Sequence, residues 1–317
     1  MKILVTGVAG AIGSHVAERL AQMGHDVVGV DSLTDYYHRA IKETNLSDVR
    51  ESGVKVFLSD LSVDDISETM PDIEVIYHFA AQPGISASTG FDLYIKNNII
   101  ATHRLLEKAM ELSALKVFVH ISTSSVYGAR AQGDETTEPK PTSYYGVTKL
   151  AAEQLAMSYH RELNLPVTVL RLFSVYGERE RPEKLYHKLI KSILEEKTFP
   201  LHEGSEHHIR SYTHIEDIVD ACVLVLDNFD KAIGEIFNIG NDKTITTGEG
   251  ISVLEEILGK KANLVIMPRR TGDQTETAAN IKKAREIFGY NPKINISEGL
   301  SRQVKWHKDK LHNKIEY

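Results

Sequence analysis

The sequence predicts an α/β protein in which a parallel β-sheet is covered by helices on both faces and is followed by a smaller mixed α/β lobe. Short runs of β-branched residues alternate with longer helical patterns through the first half of the chain, which is the layout of parallel sheets. After residue 172 this alternation gives way to mixed segments. The length of 317 residues suggests about two domains, and 42% hydrophobic with 26% charged residues is normal for a folded globular protein.

The predicted elements of the first half follow this alternation. The strands, identified as short β-branched runs, are Lys2–Thr6, Asp26–Asp31, Val54–Leu58, Val75–Phe79, Val117–Ser122 and Val167–Leu172. The helices, identified by apolar residues at three- and four-residue steps, are Ala11–Met23, Leu93–Leu112 and Tyr145–Glu162.

The second half contains helical patterns and one strand pattern. Its predicted helices are Glu183–Glu195, Glu216–Leu226, Gly248–Leu258 and Asn280–Phe288, its strand is Glu235–Ile239, and its polar, aperiodic loops are Gly204–Arg210 and Arg269–Thr277. We therefore predict a first domain over residues 1–172, to which a segment near 214–240 returns, and a second lobe built mainly from residues 173–317.

Composition and spacing exclude several classes of protein. The 37 Lys and Arg residues against 44 Asp and Glu give a formal charge of −7, whereas a nucleic-acid binder normally has the opposite balance. Cys222 is the only cysteine, which excludes an intrachain disulfide and predicts a reducing compartment, the cytoplasm. The longest stretch without a formal charge, Val75–Phe91, contains Pro83 and two glycines, so no membrane span is expected. The histidines from His202 to His214 lack the spacing of a metal site, and no metal is predicted.

A glycine motif follows the first predicted strand. Gly7, Gly10 and Gly13 have the spacing G-x-x-G-x-x-G between a strand and a helix, which permits a tight turn and close approach of a pyrophosphate to the helix N-terminus. Asp31 ends the second strand 18 residues after Gly13, where a carboxylate accepts hydrogen bonds from a ribose diol and repels a 2′-phosphate. The alternative is a glycine turn that only packs a helix on a strand, but the order of strand, glycines, helix, strand and acid favours NAD. The residues predicted to bind NAD at this edge of the sheet are Gly7, Gly10, Ala11, Ile12, Gly13, Asp31, Asp60, Leu61, Ala80 and Ala81.

Two further motifs lie where a parallel sheet builds its site. Tyr145 and Lys149 are four residues apart in a predicted helix, so both side chains lie on one face, and a cation near a phenol lowers its pKa from about 10. The segment Ser122–Gly128, with the sequence Ser-Thr-Ser-Ser-Val-Tyr-Gly, follows the fifth strand and offers hydroxyls to a substrate. Taken alone, Tyr145 and Lys149 could have this spacing by chance on a helix surface, and the serines could form a turn that caps its own backbone. Their occurrence together with the glycine motif favours a functional site.

Together these motifs resemble those of the extended short-chain dehydrogenase/reductases that act on nucleotide sugars. The segments that carry the resemblance are Thr6–Gly13, Ser122–Gly128, Tyr145–Lys149 and Arg171–Gly177. The resemblance implies a Rossmann-type doubly wound sheet with a C-terminal substrate-binding lobe. It also implies that Tyr145 is the catalytic acid/base, that Lys149 positions the nicotinamide ribose and tunes Tyr145, that Thr123 hydrogen-bonds the reacting sugar hydroxyl, and that Asn98 helps to hold the cofactor geometry.

The same resemblance suggests which reaction follows oxidation of the sugar at C4. The related 4,6-dehydratases carry Thr-Asp-Glu, and the decarboxylases a glutamate, where this sequence has Ser124 and Ser125. Elimination then lacks its proton-transfer groups, which implies 4-epimerisation, with the two serines contacting substrate. The segment Leu172–Pro182 looks most like UDP-glucuronate 4-epimerases, in which Ser174 and Arg181 would receive the sugar carboxylate. The alternative for Arg181 is an ion pair with neighbouring glutamates on a solvated loop.

Two more residues match positions that bind the nucleotide in this family. Arg210 resembles the arginine of an Arg-Asp-Phe-Thr segment and is expected to neutralise the pyrophosphate, and Asp273 resembles the aspartate of a Gly-Asp pair and is expected to contact the uridine ribose. The sequence departs from the family pattern at Glu203–Ser205, Ser211 and Glu178, which leaves the nucleotide base and the shape of the pocket open.

The sequence therefore predicts an NAD-dependent enzyme that interconverts UDP-glucuronate and UDP-galacturonate. The alternatives are a UDP-glucose/UDP-galactose 4-epimerase, a UDP-glucuronate decarboxylase, a net dehydrogenase and, outside the enzymes, a non-catalytic NAD-sensing module. The broad apolar surface of Leu93–Leu112 and the family resemblance predict a homodimer.

Overall fold

The computed structural model describes residues 1–84, 89–269 and 274–315. The strands are β1 (Lys2–Thr6), β2 (Asp26–Asp31), β3 (Lys55–Leu58), β4 (Val75–His78), β5 (Val117–Thr123), β6 (Arg130–Ala131), β7 (Val167–Leu172), β8 (Val175–Tyr176), β9 (Thr198–His202), β10 (Ile209–Arg210), β11 (Thr213–His214), β12 (Ile236–Ile239), β13 (Ile245–Thr246), β14 (Asn263–Met267) and β15 (Glu276–Thr277). The helices are α1 (Ala11–Gln22), α2 (Arg39–Glu51), α3 (Phe91–Tyr94), α4 (Ala101–Met110), α5 (Tyr144–Leu163), α6 (Leu185–Leu194), α7 (Ile215–Asp227), α8 (Phe229–Ala232), α9 (Thr247–Leu258), α10 (Lys282–Phe288) and α11 (Ile296–Lys310).

One parallel sheet has the strand order β12-β7-β5-β4-β1-β2-β3. Val5 on β1, for example, pairs with Gly29 on one side and with Tyr77 on the other. Strands β5 and β7 are buried along their whole length, and an apolar core lies on each face of the sheet. The strand order reverses between β1 and β4, and ligands of doubly wound sheets bind at the carboxyl edge of such a switch point. The predicted doubly wound α/β fold is confirmed.

The chain after residue 172 is divided between two regions. Strand β12 extends the parallel sheet beside β7, and α7 packs against α1. The remaining elements include the short sheets β13-β10-β15, which β6 from the first half extends, and β14-β9, so this part of the fold mixes helices with small sheets. Its apolar core includes Tyr186, Leu189, Phe199, Leu254 and Leu300.

Several elements differ from the sequence prediction. Helices α2 and α11 and strands β9 and β14 are not predicted. Most residues of α2 and α11 are polar, and their buried faces include polar side chains such as Asn45 and Gln303, which weakens the apolar signal. Strand β14 is an apolar run without alternation, and it is exposed along its whole length. The two predicted loops contain strands β10 and β15, which pair with each other. The predicted helix Leu93–Leu112 is interrupted by a π-helical segment, Ile95–Ile100. No helix within the described ranges is long and apolar enough to cross a membrane.

Candidate active site

The carboxyl edge of the parallel sheet opens into a cleft of about 450 Å³. The turn between β1 and α1 forms one wall, and Gly7 in that turn has a φ of 70°. A Cβ on Gly7 would lie 2.8 Å from the backbone nitrogen of Ala80, and a Cβ on Gly13 would overlap the carbonyl oxygen of Gly7. Helix α1 begins after Gly10 without a side-chain cap, so its first N–H groups are available to an anion. These glycines therefore form a cradle that fits a dinucleotide phosphate.

The predicted cofactor residues converge on this cleft, with one exception. Asp31 is oriented at the end of β2 because its carboxylate accepts hydrogen bonds from the backbone nitrogens of Ala9 (2.9 Å) and Leu33 (2.8 Å). Asp60 pairs with Lys96 at 2.9 Å. The predicted residues in the lining are Gly7, Gly10, Ala11, Ile12, Gly13, Asp31, Asp60, Leu61, Ala80 and Ala81.

Asn98 is the exception, since it lies behind the cleft and is fully buried in the π-helical segment. Its side-chain oxygen accepts a hydrogen bond from the backbone nitrogen of Gln82 (2.7 Å), and its side-chain nitrogen donates to the hydroxyl of Thr148 (2.9 Å). Thr148 precedes Lys149 in α5. The contacts of Asn98 thus support the helix that carries the predicted catalytic pair.

Tyr145 and Lys149 lie in the first two turns of α5, which begins after the capping residue Ser143. Both side chains line the cleft together with Thr123, at the end of β5, and the Thr123 hydroxyl hydrogen-bonds to Tyr145. Burial raises the pKa of Tyr145 above its usual value, while the positive charge of Arg181 and the hydrogen bond from Thr123 oppose this rise. The charge of Arg181 therefore favours the ionised form of the hydroxyl that is predicted to transfer the proton.

Lys149 is almost completely buried. Burial lowers the pKa of Lys149 to about 8, and the carboxylate of Glu153 opposes this shift. The ammonium form of Lys149 is therefore held at neutral pH with a smaller margin than that of an exposed lysine.

The serines after β5 form a short helical turn, and Ser124 and Ser125 line the cleft. The backbone nitrogen of Ser125 donates to the Thr123 hydroxyl at 3.2 Å. The turn therefore caps its own backbone, as the alternative interpretation proposed, and it also presents hydroxyls to the cleft.

Ser174 and Arg181 also line the cleft. Ser174 has a φ of 29°, an uncommon conformation for a residue other than glycine, and its hydroxyl lies 3.4 Å from that of Thr277. Arg181 lies 3.1 Å from the carboxylate of Glu183. Arg181 thus pairs with a glutamate, as the alternative interpretation expects, and it also lines the cleft.

Arg210 also lines the cleft, where it donates hydrogen bonds to the carbonyl oxygens of Ile209 (3.0 Å) and Gln274. Asp273 lies outside the described residues. Among the departures from the family pattern, Glu178 lines the cleft and lies 3.1 Å from the buried imidazole of His214.

Sequence reasoning missed several residues of this site. Tyr36, Tyr37 and Lys42 reach the cleft from α2 and the segment before it, an element that the sequence pattern did not predict. Glu180 and Lys184 line the cleft beyond Arg181, and burial raises the pKa of Glu180 to about 7. In a segment without periodicity, the sequence does not predict whether a charged side chain points toward the cleft or toward solvent.

Among the described residues, no group of three or more His, Cys, Asp or Glu side chains is arranged to hold a metal ion. Cys222 is fully buried in α7, and burial raises the pKa of its thiol to about 12, which keeps the thiol protonated and unreactive.

The glycine cradle and the Tyr-x-x-x-Lys helix both lie within a part of the chain that matches the profile of a known protein family. The profile of the NAD dependent epimerase/dehydratase family matches residues 3–240. The chain belongs to this family. The predicted family, the enzyme class and the NAD cofactor are thereby confirmed.

Individual members of the epimerase/dehydratase family resemble this chain over nearly its whole length. A crystal structure of UDP-glucuronic acid 4-epimerase from Bacillus cereus, in complex with UDP-glucuronic acid and NAD, is 38% identical with a TM-score of 0.93, and the match covers 98% of this chain and 99% of that one. UDP-glucuronate 4-epimerase 2 of Arabidopsis thaliana is 33% identical over 97% of this chain and 76% of its own length. The uncharacterized UDP-glucose epimerase YtcB of Bacillus subtilis is 37% identical over 96% of this chain and 97% of its own.

Proposed function

We propose that this family member is a UDP-glucuronate 4-epimerase that interconverts UDP-glucuronate and UDP-galacturonate with tightly held NAD. The observation that carries the proposal is the cleft itself, which Ser174 and Arg181 line together with the acid/base residue Tyr145. The positive charge of Arg181 also acts on the pKa of Tyr145. An arginine can bind a carboxylate with two parallel hydrogen bonds. The glucuronate epimerases among the relatives, such as those of Bacillus cereus and Arabidopsis thaliana, support the same substrate.

The residues of the cleft divide the reaction between them. When bound, NAD supplies the acceptor and donor for the hydride at C4 of the sugar. Tyr145 removes the proton of the 4-hydroxyl and later returns it, Thr123 orients that hydroxyl, and Lys149 binds the nicotinamide ribose while its charge favours the phenolate form of Tyr145. The Gly7–Gly13 turn and the N-terminus of α1 hold the pyrophosphate of the cofactor, and Asp31 its adenosine ribose.

The turn after β5 favours epimerisation over elimination or decarboxylation. Ser124 and Ser125 bind substrate through hydroxyls, and neither can act as the carboxylic acid that elimination needs. The 4-keto sugar acid is a β-keto acid that loses carbon dioxide readily, so a carboxylate held by Ser174 and Arg181 serves to discourage that reaction. The sugar then turns its opposite face to the cofactor and accepts the hydride there.

We propose that residues 1–172 together with the segment near 214–240 bind NAD, and that residues 173–317 mainly bind the nucleotide sugar. In this division Arg210 neutralises the substrate pyrophosphate and Asp273 contacts the uridine ribose. The placement of Arg210 in the cleft supports its role.

We also propose a homodimer, supported by apolar side chains exposed on α3, the π-helical segment, α4 and the first turn of α5. These side chains are Phe91, Leu93, Ile100, Met110, Tyr144 and Val147. A cytoplasmic location is proposed with it, because the lone cysteine favours a reducing compartment.

One observation favours a second candidate, a UDP-glucose 4-epimerase. Arg181 already has a carboxylate partner in Glu183 at 3.1 Å, which would suit a neutral sugar, and YtcB is named for UDP-glucose.

The experiment that decides is incubation of the purified protein with UDP-glucuronate and with UDP-glucose, followed by chromatographic separation of the products. We expect UDP-galacturonate without net NADH release, since an epimerase regenerates its cofactor in each cycle. A UDP-pentose with carbon dioxide indicates a decarboxylase, activity on UDP-glucose alone supports the second candidate, and stoichiometric NADH indicates a dehydrogenase. Inactivity on a panel of nucleotide sugars would favour an NAD-sensing module.

A further inference from the structure

A buried carboxylate joins the three elements that carry the active site. Glu153 lies one helical turn after Lys149 in α5 and is completely buried. Its carboxylate accepts a hydrogen bond from the Ser122 hydroxyl of β5 (2.7 Å) and two from the Arg171 guanidinium of β7 (2.6 and 3.0 Å). Ser122 immediately precedes Thr123, so the contact sets the strand end that presents the Thr123 hydroxyl to Tyr145.

The charge of this carboxylate is balanced on the side away from the cleft. Arg171 also donates to the hydroxyl of Tyr127 (2.7 Å) and lies 4.9 Å from the centre of the Tyr127 ring. The Tyr127 hydroxyl in turn donates to the side-chain oxygen of Asn238 (2.8 Å). A buried ion pair persists only when its remaining hydrogen-bonding groups are satisfied, and this network satisfies them.

On the side toward the cleft, the carboxylate acts on Lys149. The titratable groups whose charges interact with that of Lys149 are His78 from β4, His120 from β5 and Glu153 from its own helix. Burial lowers the pKa of His78 to about 3 and that of His120 well below its usual value, so both imidazoles are neutral at physiological pH. Within the described ranges, Glu153 is therefore the anion that supports the positive charge of Lys149.

We infer that Glu153 is a positioning residue of the reaction, whose carboxylate keeps Lys149 charged and holds the Thr123 strand end against α5. The inference rests on the proposed roles of Tyr145 and Lys149. It adds a residue that touches neither substrate nor cofactor but acts through two residues that do.

The test replaces both partners, Glu153→Met with Arg171→Met, because exchanging a whole buried ion pair for apolar side chains is tolerated better than removing one partner. We expect a folded enzyme with bound NAD whose kcat at pH 8 falls at least about tenfold while KM changes less than about threefold. Because Lys149 then loses its proton more easily, the alkaline limb of the kcat profile should move down by about one pH unit.

The control is the paired variant Glu74→Met with Lys116→Met, which removes an ion pair of 2.7 Å between residues that precede β4 and β5 and do not line the cleft. It should leave the kcat profile in place. Glu153→Gln, which keeps the side-chain shape and removes only the charge, is measured in parallel in case the first variant does not fold. A folded variant with unchanged kcat and pH profile would overturn the inference. Failure of both Glu153 variants to fold would also overturn it, because the Glu153–Arg171 pair would then serve stability alone.

A substrate-free measurement separates this inference from the proposed function. If the Lys149 ammonium depends on Glu153, the free energy of unfolding of the Met pair variant relative to the parent should rise with pH just below pH 8. In that range Lys149 has lost its proton in the folded variant but keeps it in the parent and in both unfolded chains. If the difference in the free energy of unfolding between variant and parent does not change with pH, the inference is overturned, whichever sugar the enzyme acts on. If the difference rises but the parent protein is inactive, only the proposed function is contradicted.

Discussion

Replacing Arg181 with methionine should separate a glucuronate epimerase from a glucose epimerase. A hydrogen bond to a charged group contributes about 1.5–3 kcal/mol, which corresponds to a loss of about 10-fold to 150-fold in kcat/KM. Glu183 lies 3.1 Å from the guanidinium, and the two side chains are 20% and 32% exposed, so part of the charge of Arg181 is already shared and screened. We therefore expect the lower part of that range, a loss of about 10-fold to 30-fold for UDP-glucuronate.

The assay compares kcat/KM for UDP-glucuronate and UDP-glucose in the same preparation, because Arg181 also acts on the pKa of Tyr145 and this effect is common to both substrates. The ratio of the two constants should fall by the stated factor. Glu183→Gln should raise kcat/KM for UDP-glucuronate, since it removes a competing carboxylate and its repulsion of the substrate. Lys188→Met, at an exposed position of α6, is the control for lost surface charge. Equal losses for both substrates would refute the assignment of Arg181 to the sugar carboxylate.

Three further predictions concern the catalytic pair and the glycine cradle. Tyr145→Phe should lower turnover at least about 100-fold with NAD content and thermal unfolding unchanged, and substantial residual turnover would contradict its acid/base role. Turnover should decline as the pH rises above about 8, where Lys149 loses its proton, and a profile flat to pH 10 would count against this. The pKa shift of Lys149 from 10.5 to about 8 lowers the free energy of unfolding by about 3 kcal/mol below pH 8. This loss disappears as the pH rises toward 10.5, because between the two pKa values the unfolded chain binds more protons than the folded one. Lys149→Met should therefore stabilise the protein at pH 7 and progressively less above pH 8. Gly13→Ala should prevent copurification of NAD, because the added Cβ would overlap the carbonyl oxygen of Gly7. NAD content is measured by absorbance after denaturation, and a normal content would show that the turn can adjust.

Much of the fold follows from local pattern. Apart from β3 at its edge, the strands of the parallel sheet are short, largely buried and rich in β-branched residues, and the observed β1, β2 and β7 have the predicted bounds. Periodicity is a weak signal where a buried face carries polar side chains or where burial is absent: the buried face of α11 includes Gln303 and His307, and β14 has no buried residue. These elements form because they meet partners distant in sequence, which a local pattern does not contain.

The arginines of the 179–181 segment show the same limit within the site. Spacing alone could not separate them, since both lie among glutamates in one aperiodic loop. The structure turns the chain at Arg179, where φ is 62°, so that Arg179 pairs with Glu18 (2.7 Å) and Asp48 (3.0 Å) while Arg181 faces the cleft.

The sequence by itself determined the features whose parts lie within a few residues of one another: the glycine turn, the Tyr145 and Lys149 pair on one helix face, and the hydroxyls after β5. Within one helix or turn the backbone geometry is fixed, so the spacing of residues along the sequence determines their relative positions in space. Only the tertiary structure decided which charged groups are brought together across the fold, such as Glu153 with Arg171, and which charges act on the site, such as that of Arg181 on the pKa of Tyr145. Such pairs depend on how strands and helices are ordered in space, and burial then sets the strength of each interaction by excluding water.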